Sequence, residues 1–520
     1  MRFPLATRSY QTDSVKESSQ SLINMFTVAN PTTTNTLTGF TSYSLQPTPG
    51  LKLLIDLNGR EINGAITVVI AGVDTSFLVY TDSTQSYFGS YIVSTNTWTQ
   101  FGTLPQLALG TKVSIATNTI TSAVQILVAV GTTTGYFYNS GAFSTITFPQ
   151  ATNQLAAQDG FFIAIQSNTN TYYQSNLTDP TTWQALNFAT AGAVADKLQC
   201  AVSSFQQLWL VGTKHTEIWS NTAPLSSSGV AGVVFTQQQG YYLNYGTVAP
   251  ASVALSEMGL FFVSKSAFGQ GQVMFAANNT PQPVSDKALE SHLRNIDLST
   301  CFAFCYQQGG NEFYQLTIPS ILKTYVLCIT TGLWFEKQSR DTTTTLVPSQ
   351  TRHRANCYTF QNGTHIVGDY VSAKLFAMDD NTFLDDSTYT ISREIITPTL
   401  HNNGKFVTTY SMELFYEPGT AMEPTSLATQ GQAPLIGLEV SRDGGFRYGF
   451  QRLVPMGGIG SYRTRVKFNL LGAAKAFVFR IRFTEPIKFI LLGCELRTNL
   501  EKETPGHSIQ YGDTGGMIIT

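Results

Sequence analysis

The side chains that could do chemistry are few and thinly spread. Two acidic pairs, Asp379-Asp380 and Asp385-Asp386, bracket a turn. Glycoside hydrolysis needs two carboxylates that face each other across a sugar. Adjacent residues on a strand point to opposite faces, and in a loop they are solvated, so these pairs read as turn acids. A calcium loop would need alternating D-x-D-x-D-G ligands, which this stretch lacks. The six histidines (215, 292, 353, 365, 401 and 507) lie at no metal-ligand spacing and read as surface or turn residues. The chain has no G-x-S-x-G elbow, no phosphate loop, no H-E-x-x-H and no G-x-G-x-x-G opening a helix. The six cysteines form no C-x-x-C pair, and they read as reduced, buried thiols. No catalytic residue, metal or cofactor is expected.

Two other groups of residues have structural readings. Ser441-Arg442-Asp443-Gly444-Gly445-Phe446-Arg447-Tyr448 resembles the Asp-box of sialidase-type propellers. In such a turn the aspartate caps the hairpin backbone, and Gly445 supplies a positive φ. It occurs once and reads as a hairpin turn. Trp183, Trp209, Trp219 and Trp334 sit beside apolar runs and read as core rather than as stacking platforms for sugars.

The elements that must position these residues are strands. Charged residues are 12% of the 520, about half the usual share of roughly 25%. Thr, Ser, Asn and Gln supply the polar surface instead. Thr with many Phe, Tyr, Val and Ile favours pleated, half-buried strands, and 42 Gly and 20 Pro supply turns.

A loose repeat organises most of the chain: an apolar run, a turn, then a second run with a large apolar residue. Seven such pairs are found, at 66–80, 125–138, 161–174, 208–219, 259–275, 312–328 and 364–378. Their markers Phe77, Tyr136, Tyr172, Ile218, Met274, Tyr325 and Phe376 are spaced by 36 to 59 residues. That brackets a four-stranded propeller blade of about 40–50 residues. Blades that small bury both faces only by stacking around an axis, and runs such as Phe161-Phe162-Ile163-Ala164-Ile165 suit strands covered on both sides. The competing arrangement is a series of β-sandwich domains without a closed ring.

The expected architecture is therefore all-β: a β-propeller of six or seven blades with a C-terminal antiparallel, sandwich-like β-domain. Residues 1–50 form an N-terminal segment that could donate the strand closing the propeller, residues 51–395 the propeller, and residues 396–500 the C-terminal domain. Residues 501–520 read as an extended tail. Within 396–500, strands are expected at 408–416, 435–441, 461–469, 476–484 and 487–496.

The net charge of −2 and the absence of any Lys/Arg run argue against a protein that grips nucleic acid by its phosphates. A surface that lets DNA pass without holding it is compatible. No signal-like or membrane-length apolar stretch is found.

One stretch carries a family resemblance. Trp183-Gln184-Ala185-Leu186-Asn187-Phe188-Ala189 is followed by Asp196-Lys197-Leu198, then Leu208-Trp209-Leu210-Val211-Gly212, then Thr216-Glu217-Ile218-Trp219. Further matching segments are Thr331-Gly332-Leu333-Trp334-Phe335-Glu336, Ile391-Ser392-Arg393-Glu394-Ile395, Ser21-Leu22-Ile23-Asn24-Met25-Phe26 and Thr48-Pro49-Gly50-Leu51. In order and spacing they resemble the nozzle, or packaged-DNA stabilisation, proteins of short-tailed phages. The resemblance implies that Trp183, Asp196, Trp209, Gly212, Glu217, Trp219 and Trp334 are structural positions.

The resemblance further implies a non-catalytic virion protein, assembled in the host cytoplasm as a homohexamer around the tail axis. It would follow the head-to-tail adaptor and meet tail needle, fibre or spike proteins. Genomic DNA would pass through it without sequence-specific binding, be retained after packaging, and leave through it on ejection. It also implies six blades, against the seven pairs counted. Gly-rich stretches at 268–272 and 456–461 are candidate gate loops. The alternative reading is a carbohydrate-binding or receptor-binding propeller of a phage tail, which would show facing carboxylates and clustered exposed aromatics.

Overall fold

The computed structural model describes residues 2–29, 43–118, 123–194, 196–222, 233–265, 270–277, 279–342, 349–422 and 430–499. The chain divides into two compact units, Thr48–Ser392 and Met1–Pro47 with Arg393–Thr520.

Among the described residues, the Thr48–Ser392 unit contains seven antiparallel four-strand groups, each with its strands in chain order except the last. Six of the seven repeat pairs each supply the two central strands of one group, and the first pair supplies the first two strands of its group, Glu61–Ile70 and Val73–Thr81. The first group is Glu61–Ile70, Val73–Thr81, Ser86–Ile92 and Thr97–Leu104. The seventh takes three strands from residues 355–379 and its fourth, Gly50–Asp56, from the other end of the unit.

Shared cores join the groups in sequence. Phe77 and Phe88 pack with Tyr136 and Tyr138 between the first and second. Phe148 and Phe162 join the second to the third, and Tyr172 with Trp219 the third to the fourth. Trp209 with Phe262 joins the fourth to the fifth, and Phe261 with Tyr314 the fifth to the sixth. Phe304 stacks on Tyr358 at 5.0 Å between the sixth and seventh, and Ile62 with Ile366 joins the seventh back to the first. The ring is closed. All five residues of Gln125–Ala129 are buried, whereas the outer strand Ala142–Thr147 is largely exposed. This is the gradient expected of blades stacked about an axis. Each fully enclosed ring, such as Phe162 or Phe262, contributes about 2–3 kcal/mol of apolar burial.

Among the described residues the number of blades is thus seven, not six, and none of the seven repeat pairs lies outside the ring. The closing strand begins at Gly50, and its glycine is obligatory there. A Cβ would press on the Thr382 carbonyl and meet the Leu384 carbonyl at 2.8 Å.

Residues 2–29 and 43–47, which lie in the segment expected as donor of the closing strand, instead add strands to the other unit. There Arg2–Phe3 pairs with Leu491–Thr498, and Ser19–Ile23 with Arg393–Ile396. One sheet of that unit runs Met25–Ala29, Tyr43–Pro47, Leu491–Thr498, Val407–Tyr416, Val466–Ala474. The other contains Ser19–Ile23, Arg393–Ile396, Ala476–Phe483, Leu435–Ser441 and Arg452–Pro455. Phe477 and Phe479 are fully buried, and Phe3 meets Phe479 edge-on at 5.8 Å. The strand expected at 461–469 begins only at Val466, because positive-φ glycines at 457 and 460 keep the chain turning until then.

Arg480 and Arg482 alternate with those phenylalanines, so they fall on the opposite face of their strand. There Arg480 pairs with Glu439, and Arg482 with Glu394 at 2.6 Å and Glu439 at 3.1 Å.

Candidate functional site

Four of the seven singled-out residues meet where the third blade passes to the fourth. The Asp196 carboxylate, in the link before the fourth blade, accepts bonds from the Thr213 hydroxyl at 2.7 Å and the amides of Lys214 at 2.6 Å and His215 at 3.0 Å. It also accepts from the next amide, Lys197, at 2.8 Å. Together these pin the hairpin between strands Gln207–Gly212 and Thr216–Asn221. Burial pushes the Asp196 carboxyl up, and the hydrogen bonds outweigh it, so the group lies below its ordinary range.

Gly212 is the floor of this cradle. A Cβ there would sit 2.6 Å from Asp196 Oδ2 and 3.0 Å from the His215 carbonyl, so no side chain fits while the carboxylate stays. Buried Glu217 accepts the Ala193 amide at 2.9 Å and the Trp219 indole N–H at 3.0 Å. Trp219 in turn packs edge-on to Tyr172 of the third blade at 5.7 Å. The constellation is a polar staple: two carboxylates tie one interblade link to the next blade.

The other three residues stand apart from it. Trp183, in the third blade, donates to the Pro180 carbonyl at 2.7 Å and leans on Phe148 at 5.6 Å. Trp209 is core at the seam of the fourth and fifth blades. Trp334, in the sixth, donates to the Val284 carbonyl at 2.9 Å.

Of the two acidic pairs, Asp379-Asp380 is a partly exposed turn pair as expected, and Asp385-Asp386 is not. Asp379 caps its own turn, accepting from the Asn381 amide at 3.0 Å and the Thr382 hydroxyl at 2.9 Å. Asp385 and Asp386 are buried, because the chain after the seventh blade folds across the closing strand, with the Ser387 amide bonded to the Leu51 carbonyl at 3.0 Å. Arg354 meets Asp369 at 2.9 Å, Asp385 at 3.5 Å and Asp386 at 3.8 Å, and Lys374 meets Asp386 at 3.1 Å. Burial pushes the Asp385 carboxyl up to about 6, against the pull of Arg354. This ionic cluster locks the seam where the ring closes, and sequence reading missed it. Its one signal was Arg352-His353-Arg354, a cationic cluster in a chain otherwise poor in charge.

A second buried cation lies nearby. Lys337 donates to the Tyr306 hydroxyl at 2.7 Å and to Gln315 Oε1 at 3.3 Å. Burial brings its ammonium down to about 7. The cysteines are free, and burial pushes the Cys200, Cys301 and Cys494 thiols up to about 12, far from the thiolate a nucleophile needs. The Asp443 turn forms as expected: Ser441 Oγ donates to Asp443 Oδ1 at 2.7 Å, and the Arg447 amide to the same oxygen at 3.0 Å. Residues 268 and 269 of the first candidate gate loop, and the whole 501–520 tail, lie outside the described residues. Among the described residues no three His, Cys, Asp or Glu side chains gather as a metal site. No helix among them is long and apolar enough to cross a membrane.

The propeller and the sandwich coincide with one family. A family model described as bacteriophage P22 Gp10, beta-propeller, matches residues 1–383, and a second, bacteriophage P22 Gp10, beta-sandwich, matches residues 392–499. The chain belongs to the P22 Gp10 family. It is a structural protein of a phage tail, placed in the virion among other virion proteins. No curated protein sequence matches it. Among solved structures, one described as the crystal structure of Chaetomium thermophilum Raptor aligns at 8% identity with a TM-score of 0.38, over 64% of this chain and 29% of that one. The chain spans less than a third of that protein's length.

Proposed function

We propose that this P22 Gp10-family chain is the tail nozzle: a non-enzymatic homohexamer that continues the DNA channel beyond the head-to-tail adaptor. In this reading it assembles in the host cytoplasm and contacts needle, fibre or spike proteins. It retains packaged DNA until ejection, and the genome passes without sequence-specific binding. The observation that carries this is the match of both units, nearly end to end, to the propeller and sandwich of P22 Gp10. The charge distribution agrees. Residues 48–392 hold 14 Lys/Arg against 20 Asp/Glu, a net −6, so the propeller offers phosphates little to hold. The staple at Asp196, Gly212, Glu217 and Trp219 and the lock at Arg354 serve to keep the ring stiff under a pressurised genome.

The test is genetic. Particles assembled without this chain should fill with DNA and then lose it, so that nuclease digests the genome in particles lacking the chain and spares it in complete virions. Particles that keep their DNA protected without the chain would refute the retention role.

A further inference from the structure

The two units carry opposite charge. Against the −6 of residues 48–392, the remaining residues hold 17 Lys/Arg and 13 Asp/Glu, a net +4, which together give the −2 of the whole chain. Each unit also leaves apolar side chains uncovered, and in both cases these sit beside the charges.

On the propeller, the turns joining the first and second strand of each blade lie on one face. Three of them, in the fifth, sixth and seventh blades, surround a cavity of about 400 Å³. Its walls include Tyr306, Tyr358, His365 and Phe360, with the carboxylates of Glu257 and Glu312 at the rim. Glu312 Oε1 accepts the Glu257 amide at 3.1 Å, which fixes the two acids side by side. Phe360 is 47% exposed and Met258, at the tip of the neighbouring turn, 63%.

On the sandwich unit, the Asp443-capped turn projects the reverse pattern. Phe446 and Arg447 are exposed, and Phe450 is 99% exposed. The turn is rigid. Asp443 and Ser441 hold its backbone, and the Arg480 guanidinium lies 3.9 Å over the Tyr448 ring. A nearly naked phenylalanine on a preorganised loop is an anchor awaiting a pocket.

We propose that these two surfaces bind each other between copies of this chain: the Arg447 guanidinium of one enters the aromatic, acidic cavity of the next, and Phe446 and Phe450 cover the apolar rim around Met258. The contact joins unlike surfaces, which is the interface type that builds a closed ring. It rests on the ring-forming reading given above and adds the residues that make the ring. An arginine between carboxylates and aromatic faces gains both ionic and cation–π attraction.

The experiment is native mass measurement of the full-length chain, alone and on its adaptor ring, across a concentration series. Phe450→Ser, Arg447→Glu and Glu257→Arg should each raise the concentration for half-assembly by about tenfold or more, as loss of a desolvated interface pair does. The Arg447→Glu/Glu257→Arg double variant should recover most of it. All three side chains are exposed, so unchanged melting shows that the variants still fold. A wild-type ring that forms while every variant assembles within about twofold of it overturns this interface alone. A wild-type chain that forms no ring under either condition overturns the ring reading and this inference with it. Glycan binding lost in Glu257→Arg, with ring assembly unchanged, would make the cavity a carbohydrate site and also overturn the inference.

Discussion

Replacing Asp196 with alanine removes three hydrogen bonds to the next hairpin, from Thr213, Lys214 and His215, at 2.6 to 3.0 Å. Bonds to a charged acceptor contribute about 1.5–3 kcal/mol each. They are not additive here, because the Lys214 backbone lies at an exposed turn where water replaces part of the loss. The expected cost is therefore about 2–4 kcal/mol, concentrated in one hairpin. Amide hydrogen exchange resolves this better than a global melt in a chain of two units. The Lys214 and His215 amides should lose protection by about 30-fold or more, while the first and second blades keep theirs. The carboxyl is held below its ordinary range, so its contribution is present above the unfolded value near 3.8 and is lost as pH falls through the lower folded value. Protection of the two amides in Asp196→Ala equal to wild type would refute the staple.

Three further outcomes follow from the same structure. Gly212→Val should be at least as damaging as Asp196→Ala, since its Cβ alone overlaps the carboxylate; thermal melting of both variants checks the order. Gly50→Ala should displace the closing strand from the Thr382–Leu384 backbone, costing about 2 kcal/mol or more and raising proteolysis near Lys374–Asp379. For Lys337 the folded pKa of about 7 lies below the ordinary 10.5. The unfolded chain therefore binds the extra proton between these values, and stability rises with pH across that window by about 1.4 kcal/mol per unit. Lys337→Met should flatten the slope of denaturant midpoints between pH 7 and 9, and an unchanged slope would contradict the lowered pKa of the buried Lys337 amine.

The seven blades were legible because inner strands covered on both faces carry continuous apolar runs, as Phe161–Ile165 and Leu260–Val263 do. The closing strand was not. Gly50–Asp56 pairs with residues more than three hundred positions away, and neither segment carries a local mark of that partner. For the same reason Arg2–Phe3 and Ser19–Ile23 gave no sign that they complete the sandwich sheets. Asp196, Gly212, Glu217 and Trp219 stood out by order and spacing, but only their geometry shows carboxylates holding a hairpin and an indole. Asp385 and Asp386 were misread as solvated because the rule for loop acids assumes an exposed loop, and this one is folded under Arg354. Phe446 was legible as a turn residue, and its exposure was not; Phe450, beyond the turn motif, carried no sequence mark.

In the proposed function this chain forms a ring on the tail axis. Electron cryo-microscopy of the virion tail tests it most directly. Six copies of a seven-bladed propeller should encircle the DNA path beyond the adaptor. Density showing the chain off the axis, carried singly on a fibre or spike, would contradict it.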